Sequence, residues 1–243
     1  VRLFEADCLT VLDSIDSHSV DLVLCDPPYG TTQNKWDSQI PLDQVWLHIK
    51  RLLKPAGTVV LTAQGPFTAR LLLSNEKWFK YKIVWEKSKP TNFLNAKRQP
   101  LRKHEDILVF AKGAGTYNPQ MQPGKPYDKG VRKDQRTGSY GDFHPAHIKS
   151  SGGRYPTDIV YFKTAESEGP VIHPTQKPIA LMEYLVQTYS NPGDTVLDFA
   201  MGSGSAGIAC LRAGRSFIGI EKKSSFYVAA ASRLAAFRDE IAA

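Results

Sequence analysis

Apolar and polar positions alternate in two regular ways along this chain, and one long stretch follows neither. VDLVLC, 20–25, is a short apolar run that stops at a turn, as a strand buried in a parallel sheet does. Leu42, Val45, Trp46, Ile49, Leu52 and Leu53 then fall on one helical face. KPAG, 54–57, ends that helix, and TVVLTA, 58–63, predicts the next strand. A helix over 67–74 and strands over KIVW (82–85) and DILVFA (106–111) follow. From 112 to 169 no helical period persists. Regular order returns with an amphipathic helix over 178–190, where Pro178 suits the first turn. A strand over 195–200, a loop and helix over 202–214, a strand over 216–221 and a helix over 222–238 complete the pattern. Alternating strands and helices predict an α/β layer fold with a mostly parallel sheet. Residues 1–111 and 170–243 would form its ordered domain, with 112–169 inserted.

Composition narrows the setting. The 243 residues are 42% hydrophobic and 23% charged, which suits a folded domain with a substantial core. The formal net charge of +7 favours a polyanionic partner. Within 112–169 the bases Lys112, Lys125, Lys129, Arg132, Lys133, Arg136, Lys149, Arg154 and Lys163 outnumber the acids. Tyr117, Tyr127, Tyr140, Phe143 and Tyr155 are interleaved with them. That mixture suits a surface gripping phosphates and packing against bases. Cys8, Cys25 and Cys210 lie far apart, with no metal-ligand spacing, so buried free thiols in a reducing cytoplasm are expected and no metal. No apolar run approaches the roughly 18 residues of a spanning helix, so no membrane is expected.

The run DFAMGSGSAG, 198–207, follows a strand and opens a helix. Gly202, Gly204 and Gly207 match G-x-G-x-x-G, and Glu221 ends the following strand, where a ribose-binding acid belongs. Glycines let backbone approach a ligand, and the helix start offers unpaired N–H groups. The pattern points to a nucleoside-containing cofactor and leaves a nicotinamide dinucleotide and S-adenosylmethionine both open. No Gly-Lys-Ser/Thr closes the loop, which argues against nucleoside triphosphate hydrolysis.

The second chemical signal is LCDPPYG, 24–30. Asp26 follows a strand directly, at the sheet end where ligands of open α/β folds bind. Pro27 pushes Asp26 toward extended backbone, and neither Pro27 nor Pro28 has an N–H. The segment therefore presents carbonyls and a carboxylate, acceptors suited to an exocyclic amino group. Tyr29 adds a flat face for a base.

Together these motifs resemble the amino-group DNA methyltransferases, which use S-adenosylmethionine. The order of DPPY, basic insertion, HPTQKP (173–178) and glycine loop resembles their beta class, and the likeness runs from FEADCLTVL (4–12) to GIEKKSSFYVAAASRL (219–234). The resemblance implies a circularly permuted, Rossmann-like methyltransferase fold with helices on both sheet faces and an inserted target-recognition region. It implies double-stranded DNA as partner and, by analogy, a homodimer. Asp26 and the Pro27 carbonyl, with Pro28 shaping the turn, would hold the target amino group, and Tyr29 would stack on the flipped base. Glu221, beside Lys222, would hold the cofactor ribose, and Asp7 and Cys8 would meet its adenine. Asp198, Phe199, Ala200, Gly202, Ser203, Gly204 and Ser205 would lie along its methionine part, near Asp26, Thr175, Gln176 and Lys177. His173 reads as a turn histidine, and His104 and Glu105 as structural.

Two departures stand out. Phe199 takes the place of a usual proline and Ala200 that of an aromatic, so which side chain packs on the cofactor stays open. Ser205 and Ala206 replace a frequent Thr-Thr pair. The expected reaction is methylation of the 6-amino group of adenine. Methylation of the cytosine 4-amino group is the alternative, although relatives of that kind more often read Ser-Pro-Pro-Tyr. A nicotinamide-dependent oxidoreductase would leave DPPY and the basic insertion without a role.

Overall fold

The computed structural model describes residues 1–30, 37–131, 136–137, 141–142 and 146–242. They form two compact units. Val1–Asn118 with Asp158–Ala243 make the larger, and Pro119–Thr157 the smaller.

The larger unit holds β1 (Arg2–Glu5), α1 (Cys8–Ser14), β2 (Val20–Cys25), α2 (Leu42–Leu52), β3 (Leu53–Ala63), α3 (Pro66–Ser74), β4 (Phe79–Thr91) and β5 (Arg102–Phe110). After the smaller unit come β6 (Ile159–Phe162), α4 (Ile179–Tyr189), β7 (Thr195–Asp198), α5 (Ser205–Arg212), β8 (Ser216–Glu221) and α6 (Ser224–Ala242). The strands form one sheet in the order β1-β8-β7-β2-β3-β5-β4-β6. Neighbours from β1 to β3 are parallel, as are β4 and β6. β5 alone runs against both its neighbours, β3 and β4. The fold is thus α/β with a mostly parallel sheet.

Burial follows from the pattern. Leu22, Val23 and Leu24 of the central β2 are fully buried, because helices cover both faces. α1, α2 and α3 contribute Leu12, Ile49 and Phe67 to the core on one face. α4, α5 and α6 contribute Leu185, Ile208 and Leu234 to the other. Cys8, Cys25 and Cys210 are free and buried. No helix among the described residues is long and apolar enough to cross a membrane.

Several elements depart from the pattern. KPAG is absorbed into β3, whose register shifts between the pairs Val20–Leu53 and Leu22–Thr58. The intervening residues bulge out, and Lys54 pins the bulge by pairing with Asp21 at 2.8 Å. β4 is longer than KIVW because it stays paired with β5 out to Thr91 opposite Arg102. The irregular stretch expected over 112–169 and the compact smaller unit differ at both ends. Residues 112–118 belong to the larger unit, and β6 joins its sheet beside β4.

The smaller unit is antiparallel. Tyr127–Val131 pairs with His147–Ser150, Gln122–Pro123 with Gly153–Arg154, and Arg136–Thr137 with Gly141–Asp142. None of its residues with described side chains is buried, and no apolar core forms among them. Its strands are joined by ladder hydrogen bonds, and Arg154 and Lys129 lie 4.5 and 5.0 Å from the Tyr127 ring centre. Arg132, Lys133, Tyr140 and Phe143 lie outside the described residues.

Candidate active site

β7 and β2 are sheet neighbours, but the helices that follow them, α5 and α2, pack on opposite faces. The crevice beyond their C-terminal ends is therefore the switch point at which open α/β sheets bind ligands. A cavity of about 840 Å³ opens there, within the size range of small-molecule sites.

One part of its wall is built mainly from backbone. Gly204 caps α5 at φ +73°, a left-handed turn that costs glycine little. Gly207 lets α5 approach the sheet, since a Cβ there would come within 2.8 Å of Phe217 and Leu234. Glu221, at the end of β8, accepts from the Gly202 N–H at 3.0 Å and the Lys223 N–H at 2.8 Å, which aims its carboxylate across the loop. Asp7 caps α1 by accepting from the Leu9 N–H at 3.0 Å and pairs with Lys222 at 2.9 Å. Asp198 ends β7 and accepts from the Ala200 N–H at 3.1 Å. Burial pushes its carboxyl up to about 7, and the charges of Asp26 and Glu221 add to that rise. Cys25 touches the same carboxylate, and burial pushes its thiol well up, as it pushes the Cys8 thiol to about 11.

Ionised side chains build the other part. Asp26 Oδ2 accepts from Lys177 Nζ at 2.6 Å, and the same ammonium lies 3.2 Å from Glu105 Oε2. Glu105 Oε1 in turn meets Lys87 Nζ at 2.5 Å. Four buried or half-buried charges thus alternate in sign, which is how buried ions are tolerated. Burial alone would lower the Lys177 ammonium, but Asp26 and Glu105 outweigh it and hold its pKa up. Burial would raise Glu105, but Lys177 and Lys87 hold it down. Asp26 Oδ1 accepts a short hydrogen bond from the Thr62 hydroxyl. The single proton of the Tyr29 hydroxyl faces Asp26 Oδ1 at 2.8 Å and Thr62 Oγ1 at 2.9 Å. Burial, then Asp26 and Glu105, hold that hydroxyl protonated. The Tyr29 ring stacks on Phe67 with centres 5.2 Å apart, and the Lys177 ammonium lies 5.7 Å from its centre.

His173 is buried, and burial lowers it to about 4, so it is neutral. Its Nδ1 accepts from the Thr175 N–H at 3.2 Å, and its ring meets Phe226 edge-on. Gln176 Oε1 accepts from the Ile172 N–H at 3.1 Å. The HPTQKP turn is thereby fixed, and Lys177 projects from it to Asp26.

A family model described as DNA methylase matches residues 20–232. The chain belongs to this DNA methylase family. The methylase is 31% identical over 242 residues to the DNA adenine methyltransferase YhdJ of Escherichia coli K12, covering 92% of this chain and 79% of that protein. It superposes on the M1.HpyAVI–SAM complex with a TM-score of 0.66 at 25% identity, covering 96% of this chain and 98% of the other. The cytosine-N4-specific PvuII DNA methyltransferase shares the fold, with a TM-score of 0.64 at 16% identity over 98% and 91% of the two chains.

In the methylase every site residue anticipated from sequence lines this cavity except Gly204, which faces Ala230 and Leu234 and serves the turn. Phe199 is 3% exposed and packs into the core beside α1, while Ala200 stays half-buried; both reach the wall. Asp26 is not the donor-free acceptor that DPPY alone suggests, because Lys177, Thr62 and Tyr29 already donate to it. Lys177, placed by resemblance beside the cofactor, pairs with Asp26 and Glu105. Thr62 and Lys87 belong to no motif, and Glu105, read from the sequence as structural, stands within the ion chain at Asp26. A threonine between Leu61 and Ala63 in the run TVVLTA is the available sign of Thr62, which is fully buried.

Proposed function

We propose that this methylase transfers a methyl group from S-adenosylmethionine to the 6-amino group of adenine in double-stranded DNA. The observation behind this reading is that the Asp26 carboxylate, oriented from two sides, shares one cavity with the glycine loop and Glu221. The cavity suits that cofactor. Glu221 retains acceptor capacity for ribose hydroxyls. Burial keeps a proton on Asp198 up to about pH 7, and the ionised carboxylate would pair with an amino-acid ammonium. When bound, the cofactor supplies a methyl group on a sulfonium.

A base stacked in duplex DNA cannot reach Asp26 and has to leave the helix. Asp26 and the Pro27 carbonyl accept the two N–H bonds of its amino group, drawing the nitrogen toward tetrahedral geometry and freeing its lone pair. Lys177 and Thr62 keep the carboxylate in position, so that little reorganisation accompanies the reaction. As the nitrogen–carbon bond forms and the carbon–sulfur bond breaks, the nitrogen sheds one proton, for which Asp26 is positioned. Tyr29 gives the base one face to stack on. No covalent enzyme intermediate is needed, and the high thiol pKa of Cys25 leaves it without a nucleophilic role. The smaller unit, with Lys125, Lys129, Lys149 and Arg154 around a hairpin ladder, serves target recognition. Adenine as the base is supported by the likeness to an adenine methyltransferase and by aspartate at position 26.

The test is incubation with methyl-labelled S-adenosylmethionine and unmethylated mixed-sequence DNA, followed by nucleoside mass spectrometry. The expected product is 6-methyladenine. A product of 4-methylcytosine would reassign the base, and no labelled nucleoside would reject the reaction.

A further inference from the structure

The connection between β4 and β5 presents a surface that the chemistry above leaves unused. Residues 87–103 read KSKPTNFLNAKRQPLRK, with six basic residues and no acid. Because the two strands pair out to Thr91 and Arg102, residues 92–101 close a hairpin at the rim of the cavity, whose wall includes Lys87, Lys89, Pro90 and Thr91. At its tip Phe93 is 74% and Leu94 87% exposed. The tip is built rather than slack. Asn92 takes φ +70°, and its side chain accepts from Asn95 Nδ2 at 2.8 Å. The Asn95 carbonyl accepts from the Arg98 and Gln99 N–H groups at 2.8 and 3.0 Å. Lys87, Lys89 and Lys103 pair with Glu105, Glu166 and Glu86. Lys97, Arg98 and Arg102 have no carboxylate within salt-bridge distance among the described residues, so their charge faces outward.

We propose that this hairpin tip is a duplex-DNA contact, with Lys97, Arg98 and Arg102 on phosphates and Phe93 and Leu94 entering the stack beside the target base. The inference rests on DNA being the substrate. Two adjacent apolar side chains ringed by cations, without an acid, complement a polyanion whose interior is stacked apolar faces. Extruding a base costs unstacking energy, and an apolar wedge in the vacated space offsets part of that cost. The wedge stands at the rim of the cavity that must receive the base.

The test compares wild type with Phe93→Ala/Leu94→Ala on unmethylated plasmid DNA. Loss of wedge packing and stacking should lower methyl incorporation about tenfold, with thermal midpoint and S-adenosylmethionine affinity unchanged. The bulk-preserving pair Phe93→Leu/Leu94→Met should retain most activity. Lys97→Ala/Arg98→Ala should weaken binding to a fluorescent mixed-sequence duplex and flatten the salt dependence by about two units of slope. Undiminished methylation by the alanine pair overturns the proposal. So does a dimer-to-monomer shift in that variant, which would give the tip to a second copy of the chain. If wild type methylates no DNA, the functional reading fails, and the duplex-binding comparison still decides the hairpin's contact.

Discussion

The two parts of the cavity wall are built by different means. Around the glycine loop, local backbone does the work: Gly202 and Gly204 lie within a few residues of Asp198, and Glu221 is fixed by two main-chain N–H groups. Around Asp26, which directly follows β2, side chains from β3, β4, β5 and the 173–178 turn meet, their ions forming one chain of alternating charge. Lys177 and Asp26 are 151 residues apart in sequence. The first arrangement tolerates side-chain change because backbone holds it. In the second, each ion depends on the next, so one substitution should disturb several groups.

Asp26→Ala should make the largest difference, lowering methyl transfer on the order of a thousandfold while calorimetry shows cofactor affinity little changed. A parallel loss of affinity would merge the two parts into one. Lys177→Met comes next. It leaves Asp26 without a cation and Glu105 with Lys87 alone, at a cost of about 3–5 kcal/mol in folding stability. Urea unfolding of the variant checks this, and an unchanged midpoint would show that the ion chain is not structural. On the glycine-loop side, Glu221→Ala should remove hydrogen bonds to the ribose worth about 1.5–3 kcal/mol, read as a tenfold to hundredfold weaker cofactor dissociation constant. Turnover at saturating cofactor should change far less.

Asp198 borders both parts and gives a pH signature. Its carboxyl titrates near 3.8 when unfolded and is raised to about 7 in the fold. Between those values the native state keeps a proton that the unfolded state has released. Its contribution therefore makes the ligand-free protein less stable as pH rises through that window, levelling off above it. Asp198→Asn should remove this slope, seen as a difference in thermal midpoint that grows from pH 4 to 7. Cofactor affinity in the wild type should rise over the same window as the ionised carboxylate meets a cation. The smallest effect belongs to Cys25→Ala, which should retain methyl transfer; its abolition would return the thiol to the mechanism.

Legibility in the sequence divides along the same line. The glycine loop, its flanking strands β7 and β8 and the acid at Glu221 lie in one short segment, where spacing alone constrains geometry. DPPY was legible as a site because a strand, two prolines and an acid are contiguous. What surrounds Asp26 was not. Thr62 sits in an otherwise apolar run, and Lys87 and Glu105 become neighbours only when β4 and β5 pair. Lys177 was placed near the cofactor by resemblance, but its pairing with Asp26 and Glu105 appears only when the turn around His173 directs it inward. β6 was also hidden: four residues within a basic, irregular stretch find their place by pairing with β4, not by their own periodicity.

The strand order has a consequence for how the chain reaches its fold. β1 and β2 are consecutive in sequence, yet β8 and β7 lie between them in the sheet. During synthesis, the first of the central strands to emerge must wait for the last two before the middle of the sheet can close. Until residues 195–221 leave the ribosome, the flank of β2 that will receive β7 is an open edge of unpaired main-chain groups on a mostly apolar strand, the kind that invites pairing with other chains. A chain interrupted just before Thr195 keeps DPPY, Lys177 and Glu105, but it has lost the strand that pairs with β2. Such a fragment should partition into aggregates rather than persist as an inactive but soluble half-enzyme.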